Sequence, residues 1–288
     1  MALDVKLIKQ LRDRTGAGMT DCKKALEETN NDIELACDWL REKGIAKAAK
    51  KSSRIAAEGT TLALTDGDVA VICEVNSETD FVAKSEPFKL LVKETCEILL
   101  AKRPATLEEA KEVTAELFTN ATVKIGEKLD LRRFEIVTKE ANQTFGAYMH
   151  MGGKISVLAL LNGDCSEDAQ GVSMHIAANK PTYLTTADIP AEDIANETRV
   201  QMEASKTDEK LAGKPANVLE NIIKGKVSKY FAESVLVEQP YLLEPDQKVG
   251  NYLKNKGLSI VKFVRYETGE GIAKRVENFA EEVQKQMQ

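Results

Sequence analysis

The sequence predicts an α+β protein with three short N-terminal helices, two copies of one α+β unit, and an antiparallel helical hairpin set into the second copy. Three observations carry this. Apolar residues recur at helical spacing through the first fifty positions, they change to alternation from Thr61, and the order hairpin, helix, strand then appears again.

Leu3, Leu7, Ile8 and Leu11 form one stripe, which stops at Thr15-Gly16-Ala17-Gly18. Thr20 or Asp21 is the expected cap of a second helix with Cys22, Ala25 and Leu26. Asn31 or Asp32 would cap a third, with Ile33, Ala36, Cys37 and Leu40, closed by Gly44. The Ala/Lys-rich stretch from Arg41 to Arg54 reads as a solvated helix or linker. Thr61 to Thr65 and Asp68 to Val75 flank Asp66-Gly67 as a hairpin. A helix then carries Phe88, Leu91, Val92, Cys96, Leu99 and Leu100 on one face and ends before Pro104. Thr106 to Glu109 offers a capping box for the next, and Leu129 to Val137 reads as a strand.

In the second copy, Phe145 to His150 and Lys154 to Leu161 flank Gly152-Gly153, and a helix with Val172, Ile176 and Ala177 ends before Pro181. Lys248-Val249-Gly250 echoes Lys124-Ile125-Gly126, each ahead of a strand. Pro190 to Ser205 and Ala216 to Ala232 are amphipathic and joined by a bend at Asp208 to Pro215. The last stripe is Val276, Phe279, Ala280 and Val283. The expected divisions are 1–53 (helical module with basic linker), 54–140 (first core subdomain), 141–187 with 233–270 (second core subdomain), 188–232 (inserted coiled-coil hairpin) and 271–288 (C-terminal helix).

Composition narrows the function classes. Across 288 residues, 40 Lys and Arg against 46 Asp and Glu give a net charge of -6, which argues against bulk nucleic acid as the main ligand. Only 5% of residues are aromatic, too few for a site built on stacked rings. Cys22, Cys37, Cys73, Cys96 and Cys165 are scattered, without the paired spacing of a metal or redox motif, and read as reduced core residues. The charged amphipathic start is unlike a signal peptide, and no apolar run reaches the roughly 18 residues of a membrane span, so a cytoplasmic protein is expected.

Catalytic motifs are missing too. Phosphate loops end in Gly-Lys-Ser/Thr, whereas Gly152-Gly153-Lys154 runs into a strand without the hydroxyl residue. There is no Gly-x-Ser-x-Gly, and two histidines leave a nucleophile without an evident base. Carboxylate pairs assembled from 46 acids discriminate nothing.

A difference between the copies is more informative. Both hairpins end at an Asn, Asn76 and Asn162, but the first is followed by a longer connection, Ser77 to Pro87, with Phe81 among Glu78, Asp80, Lys84 and Glu86. Either Phe81 is an anchor offered to a partner, or Thr79 caps a helix, Asp80 sits in its first turn and Phe81 turns inward. Spacing alone favours the second. Met19 faces outward or packs on Leu11. His150 falls at a hairpin tip, His175 on an apolar helix as a core residue, and Lys47 to Arg54 on a solvated face rather than an RNA contact.

The run Leu11-Arg12-Asp13-Arg14-Thr15-Gly16-Ala17-Gly18-Met19, then Asp21 to Leu26, and later Thr79-Asp80-Phe81-Val82-Ala83 resembles the signature segments of bacterial elongation factor Ts. The similarity extends through Lys124-Ile125-Gly126-Glu127, His150, Ala177 to Pro181, Lys248 to Gly250 and Gly269 to Ile272. It implies an exchange factor acting on GDP-bound elongation factor Tu, with a helical module like a ubiquitin-associated (UBA) domain and no cofactor, metal or active site of its own. Thr79, Asp80, Phe81, Val82 and Ala83 would form the exchange loop, which reverses the inward reading of Phe81. Leu11, Arg12, Met19 and Lys23 would lie in the docking module, Ile125 and Gly126 in a contacting segment, and His150 against a distal domain of the GTPase. No membrane or direct nucleic-acid contact is implied. Whether 188–232 pairs two copies stays open, and Met287 does not align clearly with a contacting Met. The alternative is an adaptor that binds a translation partner without exchange.

Overall fold

A computed structural model describes residues 5–51, 53–208, 211 and 214–273, without the side chains of 45–50. Leu3 and the terminal stripe with Val276, Phe279, Ala280, Val283 and Met287 lie outside these residues.

The N-terminal period becomes α1 (Val5–Thr15), α2 (Met19–Glu28) and α3 (Ile33–Lys51). Ile8, Leu11, Cys22, Ala25, Leu26, Ala36 and Leu40 share their core. Two expectations are corrected. The cap of α2 is Gly18 rather than Thr20 or Asp21, and it offers no side-chain acceptor, so Asp21 serves the first turn instead. Helix α3 does not close at Gly44 but continues to Lys51; Asp32 caps its start, Oδ1 accepting from the Leu35 N–H at 3.0 Å.

Gly44 has another use. A Cβ there would stand 2.3 Å from Val123 Cγ2, so the missing side chain lets α3 approach α6 (Leu107–Ile125). The approach offsets the roughly 1 kcal/mol that a glycine costs inside a helix.

Strands β1 (Glu58–Asp66) and β2 (Val69–Ser77) pair from Glu58↔Ser77 to Asp66↔Val69, so the turn residues are Gly67-Asp68, one place beyond the expected pair. β2 is central, between β1 and β3 (Asp130–Thr138), and buried along its whole length. Val71, Cys73 and Val75 pack against Phe88, Leu91, Val92, Cys96 and Leu99 of α5 (Glu86–Lys102). On β2 the alternate Glu74 is fully buried. Its carboxylate accepts from Arg132 at 2.9 Å, Arg133 at 2.6 Å and the Gly269 N–H at 2.8 Å. Arg133 also donates to the Glu267 carbonyl at 3.0 Å and stacks over Tyr266.

The described residues up to Val137, Met149–Ser156 and those from Tyr266 onward form one compact unit; Thr138–Tyr148 and Val157–Arg265 form the other. The second sheet repeats the first arrangement, with β5 (Ile155–Asn162) between β4 (Gln143–His150) and β8 (Ser259–Glu267). Helix α7 (Ser166–Asn179) lies so close to β4 that a Cβ on Gly146 would meet the Ala169 carbonyl at 2.1 Å. Helices α8 (Ala191–Lys206) and α9 (Ala216–Ala232) make the hairpin, with Ile189, Ile223, Val227, Phe231 and Val235 buried. The short strands β6 (Pro240–Tyr241) and β7 (Glu244–Lys248) and helix α10 (Val249–Asn255) were not foreseen. Two residues cannot show alternation, and Glu-Pro-Asp-Gln-Lys is polar throughout.

His175 is a satisfied core residue, as expected. Its Nε2 meets Gln239 Oε1 at 2.8 Å, and Nδ1 accepts from the Leu242 N–H at 3.1 Å, which fixes the Nε2–H tautomer. Burial holds its pKa below the ordinary value, with Gln239 opposing. Stability from such a base is whole above the unfolded pKa of about 6.5 and is lost as pH falls toward the lower folded value. The unfolding midpoint is therefore expected to drop between about pH 7 and 5. His175→Gln should flatten that slope, and an unchanged slope would assign it to other groups.

Candidate functional site

β2 ends at Ser77, and the chain turns into α4 (Asp80–Ala83), a helix of four residues. Thr79 is its N-cap, Oγ1 accepting from the Val82 N–H at 3.3 Å. Asp80 occupies the first turn and pairs with Lys84 at 2.6 Å; that hydrogen bond lowers the carboxyl pKa and raises that of the ammonium. Val82 and Ala83 pack on the core of the first sheet. Successive residues of a helix stand about 100° apart, so turning those two inward turns Phe81 out. Phe81 is 83% exposed, which corrects the inward placement expected from spacing. Burying a phenylalanine is worth about 2 kcal/mol, and leaving that unused on a tethered loop suits a docking element.

The base of this loop is knotted to the turn after α6. Gly126, in the left-handed conformation at φ 85°, caps α6 and turns the chain so that Glu127 faces the loop. Glu127 Oε2 accepts from the Glu78 and Thr79 N–H groups, both at 3.0 Å, and Oε1 from the Thr79 hydroxyl at 2.6 Å. In return, Glu78 Oε1 accepts from the Lys128 N–H at 2.6 Å, and Arg54 pairs with Glu78 at 3.2 Å. Lys51 donates to the Gly126 carbonyl. Ile125 is half-buried against the core, and Gly126 is exposed beside it. The contacting segment and the loop named from sequence are thus one construction.

The His150 tip is brought to the same unit. Beyond half-buried His150 come exposed Met151, Gly152 and then Gly153, whose carbonyl accepts from the Thr61 N–H at 2.7 Å and the Thr61 hydroxyl at 2.8 Å. The preceding residue, Thr60, donates to the Ala83 carbonyl at 3.4 Å. Adjacent residues of β1 therefore hold the end of the loop and the hairpin tip. A Cβ at Gly153 would stand 2.2 Å from Thr60 Cγ2.

In the helical module, Arg12, Met19 and Lys23 are exposed, and Lys23 lies 3.8 Å from Glu27. Leu11 is corrected: it is fully buried among the three helices and has no surface to offer a partner. Gly16 rests on the stem of Lys124, so the Thr15–Gly18 turn adjoins the end of α6. Sequence reasoning missed Glu127 and Glu78 as site residues. Glu127 stood at the end of the Lys124-Ile125-Gly126-Glu127 segment and Glu78 beside Phe81, but neither was assigned a task.

No group of three or more His, Cys, Asp or Glu among the described residues is placed to hold a metal ion, and no described helix is long and apolar enough to cross a membrane. A cavity of about 540 Å³ lies elsewhere, between α8 and α9, lined by Ile194, Met202, Ile223 and Phe231 among others. Thr198, Glu220, Lys224 and Ser228 edge this otherwise apolar space.

Comparison with known families agrees with a protein partner. Residues 78–270 match the family described as Elongation factor TS, and residues 1–49 match the one described as Elongation factor Ts, mitochondrial, N-terminal. The first match spans more than half of the chain and includes the loop, the Ile125-Gly126 turn and His150. Members of that family are nucleotide exchange factors of elongation factor Tu, not catalysts with an active site of their own. With both segments matched, this chain belongs to the elongation factor Ts family.

Proposed function

We propose that the protein releases GDP from elongation factor Tu by seating the Thr79–Ala83 loop beside the partner's magnesium and phosphate site. The observation that carries this is Phe81, 83% exposed on a loop whose base is fixed by six hydrogen-bonding groups of Glu78, Thr79, Glu127 and Lys128. GDP is held through backbone amides around its phosphates and through Mg²⁺ with oxygen ligands. A ring wedged beside that site, with the Asp80 carboxylate displacing its neighbours, distorts both. Each 1.4 kcal/mol or so of distortion weakens GDP about tenfold. The coupling is reciprocal, so GDP weakens the factor's own binding equally. Asp80 arrives paired with Lys84, and an exposed ion pair is weak enough to exchange partners on docking.

Arg12, Met19 and Lys23 on the helical module, Ile125 and Gly126 beside the loop, and His150 at the hairpin tip complete the proposed contact surface. Leu11 supports it from within. The division at 1–53, 54–140, 141–187 with 233–270, 188–232 and 271–288 belongs to the same reading. So does pairing of two copies through 188–232, supported by exposed Val200, Met202, Val218 and Tyr230 on α8 and α9. The bacterial form rests on the signature residues and the cytoplasm on the charged, amphipathic character of the first residues, while one matching family description names the mitochondrial N-terminal type.

The test is stopped-flow release of fluorescent GDP from elongation factor Tu. Release should accelerate with added protein, and no acceleration at micromolar protein would overturn exchange. A stable complex with an unchanged off-rate would establish the adaptor instead.

A further inference from the structure

We infer that Glu127 is the positioning residue of the exchange loop, acting through Thr79 from 48 residues away in the chain. The inference rests on reading Thr79–Ala83 as that loop. Four residues are too few to hold a helix by themselves, because nucleation is unfavourable and α4 ends before propagation can compensate. Its orientation must come from anchors, and one side chain supplies most of them at the leading end.

Glu127 uses both oxygens. Oε2 accepts from two successive N–H groups at 3.0 Å, the pair just ahead of α4, and Oε1 accepts from the Thr79 hydroxyl at 2.6 Å. These are charge-assisted bonds, stronger than neutral ones. The hydroxyl contact has a second effect. With its proton committed to Glu127, Thr79 Oγ1 presents a lone pair to the Val82 N–H, which is the capping bond of α4. Glu127 thereby sets the rotamer of the cap.

The clasp closes in both directions, since Glu78 lends its carboxylate to the Lys128 N–H while Glu127 lends its own to Glu78 and Thr79. Neither segment can swing without breaking bonds in the other. At the trailing end, Thr60 reaches the Ala83 carbonyl and Ser85 Oγ donates to the Val82 carbonyl at 2.7 Å. Held at both ends, α4 has one way to turn, with Val82 and Ala83 inward and Phe81 outward. Releasing the leading end leaves the ring present but no longer aimed.

Loss of aim has a distinct kinetic signature. The helical module and the His150 tip still bring the partners together, so the half-saturating concentration should stay near that of the parent. The maximal release rate falls instead. Glu127→Ala is expected to lower that maximum by on the order of tenfold, below the roughly 100-fold that a full 1 Å misplacement can cost. Glu127→Gln should restore it to within about threefold, because the amide oxygen accepts both N–H groups and the amide nitrogen donates to Thr79 Oγ1.

The experiment is a titration of fluorescent-GDP release from elongation factor Tu with the full-length parent, Glu127→Ala, Glu127→Gln, Phe81→Ala and the Glu127→Ala/Phe81→Ala double variant, each with its unfolding midpoint measured. The inference requires Glu127→Ala to cost clearly less in the Phe81→Ala background than in the parent, since an absent ring cannot be mis-aimed and only Asp80 is left for the clasp to position. Additive losses, or an unchanged maximum in Glu127→Ala while Phe81→Ala is slow, would overturn it. If Phe81→Ala matches the parent, the loop reading itself fails, and the inference with it. Should Glu127→Ala not fold, Glu127→Asp keeps the charge and shortens its reach, and a parental rate in that variant overturns the role.

Discussion

Replacing Phe81 by Ala is expected to reduce the maximal rate of GDP release by about 30-fold, the equivalent of the 2 kcal/mol or more typical of an interface anchor. The unfolding midpoint should stay where it is. Phe81 is 83% exposed, and it is Val82 and Ala83 that fasten α4 to the core, so truncating Phe81 removes little that the isolated protein uses. Surface substitutions of this kind change stability by about 0.5 kcal/mol or less. Rate and stability therefore separate the two readings of the loop. A slow variant with an unchanged midpoint identifies an element made for the partner. A parental rate with a lost midpoint would return Phe81 to the core.

The largest stability effect is expected at Glu74. Its side chain has no exposed surface, and it satisfies Arg132, Arg133 and the Gly269 N–H at once. Removing one partner of a buried charge cluster costs about 3 to 5 kcal/mol, because the remaining charges lose their compensation without regaining full hydration. The two arginines keep 24% and 29% of their side-chain surface, so the lower end applies to Glu74→Ala. At about 2 to 4 °C per kcal/mol for a chain of this size, the midpoint falls by roughly 10 °C. Urea unfolding measures the loss, and amide exchange at Thr268 to Gly271 should quicken with it. A loss under about 1 kcal/mol would show that both arginines simply turn to water.

How far these features could be read from the sequence depends on the distance over which each is determined. Among the described residues, the helical stripes, the two β-hairpins and the antiparallel helices are periodic and local, and they fold as the residues indicate. Caps and ends were less legible. Gly44 has the look of a terminator, yet it continues α3 because Val123, on another helix, occupies the space a side chain would need. Leu11 belongs to a signature segment, but membership in a segment does not say which side of the helix it is on, and the stripe with Ile8 already placed it inside. At the loop, the family resemblance named Thr79, Asp80 and Phe81 and also the segment that ends in Glu127, but the task of Glu127 was not legible because its partners are chosen by the fold. The outward turn of Phe81 follows from Val82 and Ala83 facing the core, a fact of packing rather than of spacing.

The cluster around Glu74 also bears on how the chain is made. Glu74 and Gly269 are 195 residues apart, so at about 5 to 20 residues per second a ribosome exposes the first well before it delivers the second. During that interval of some tens of seconds Glu74 lacks the Gly269 N–H that completes its cluster. A product ending before Thr268 would carry the whole Thr79–Ala83 loop and yet leave Glu74 without its Gly269 partner. A cluster begun on β2 is thus finished only by residues near the other end of the sequence.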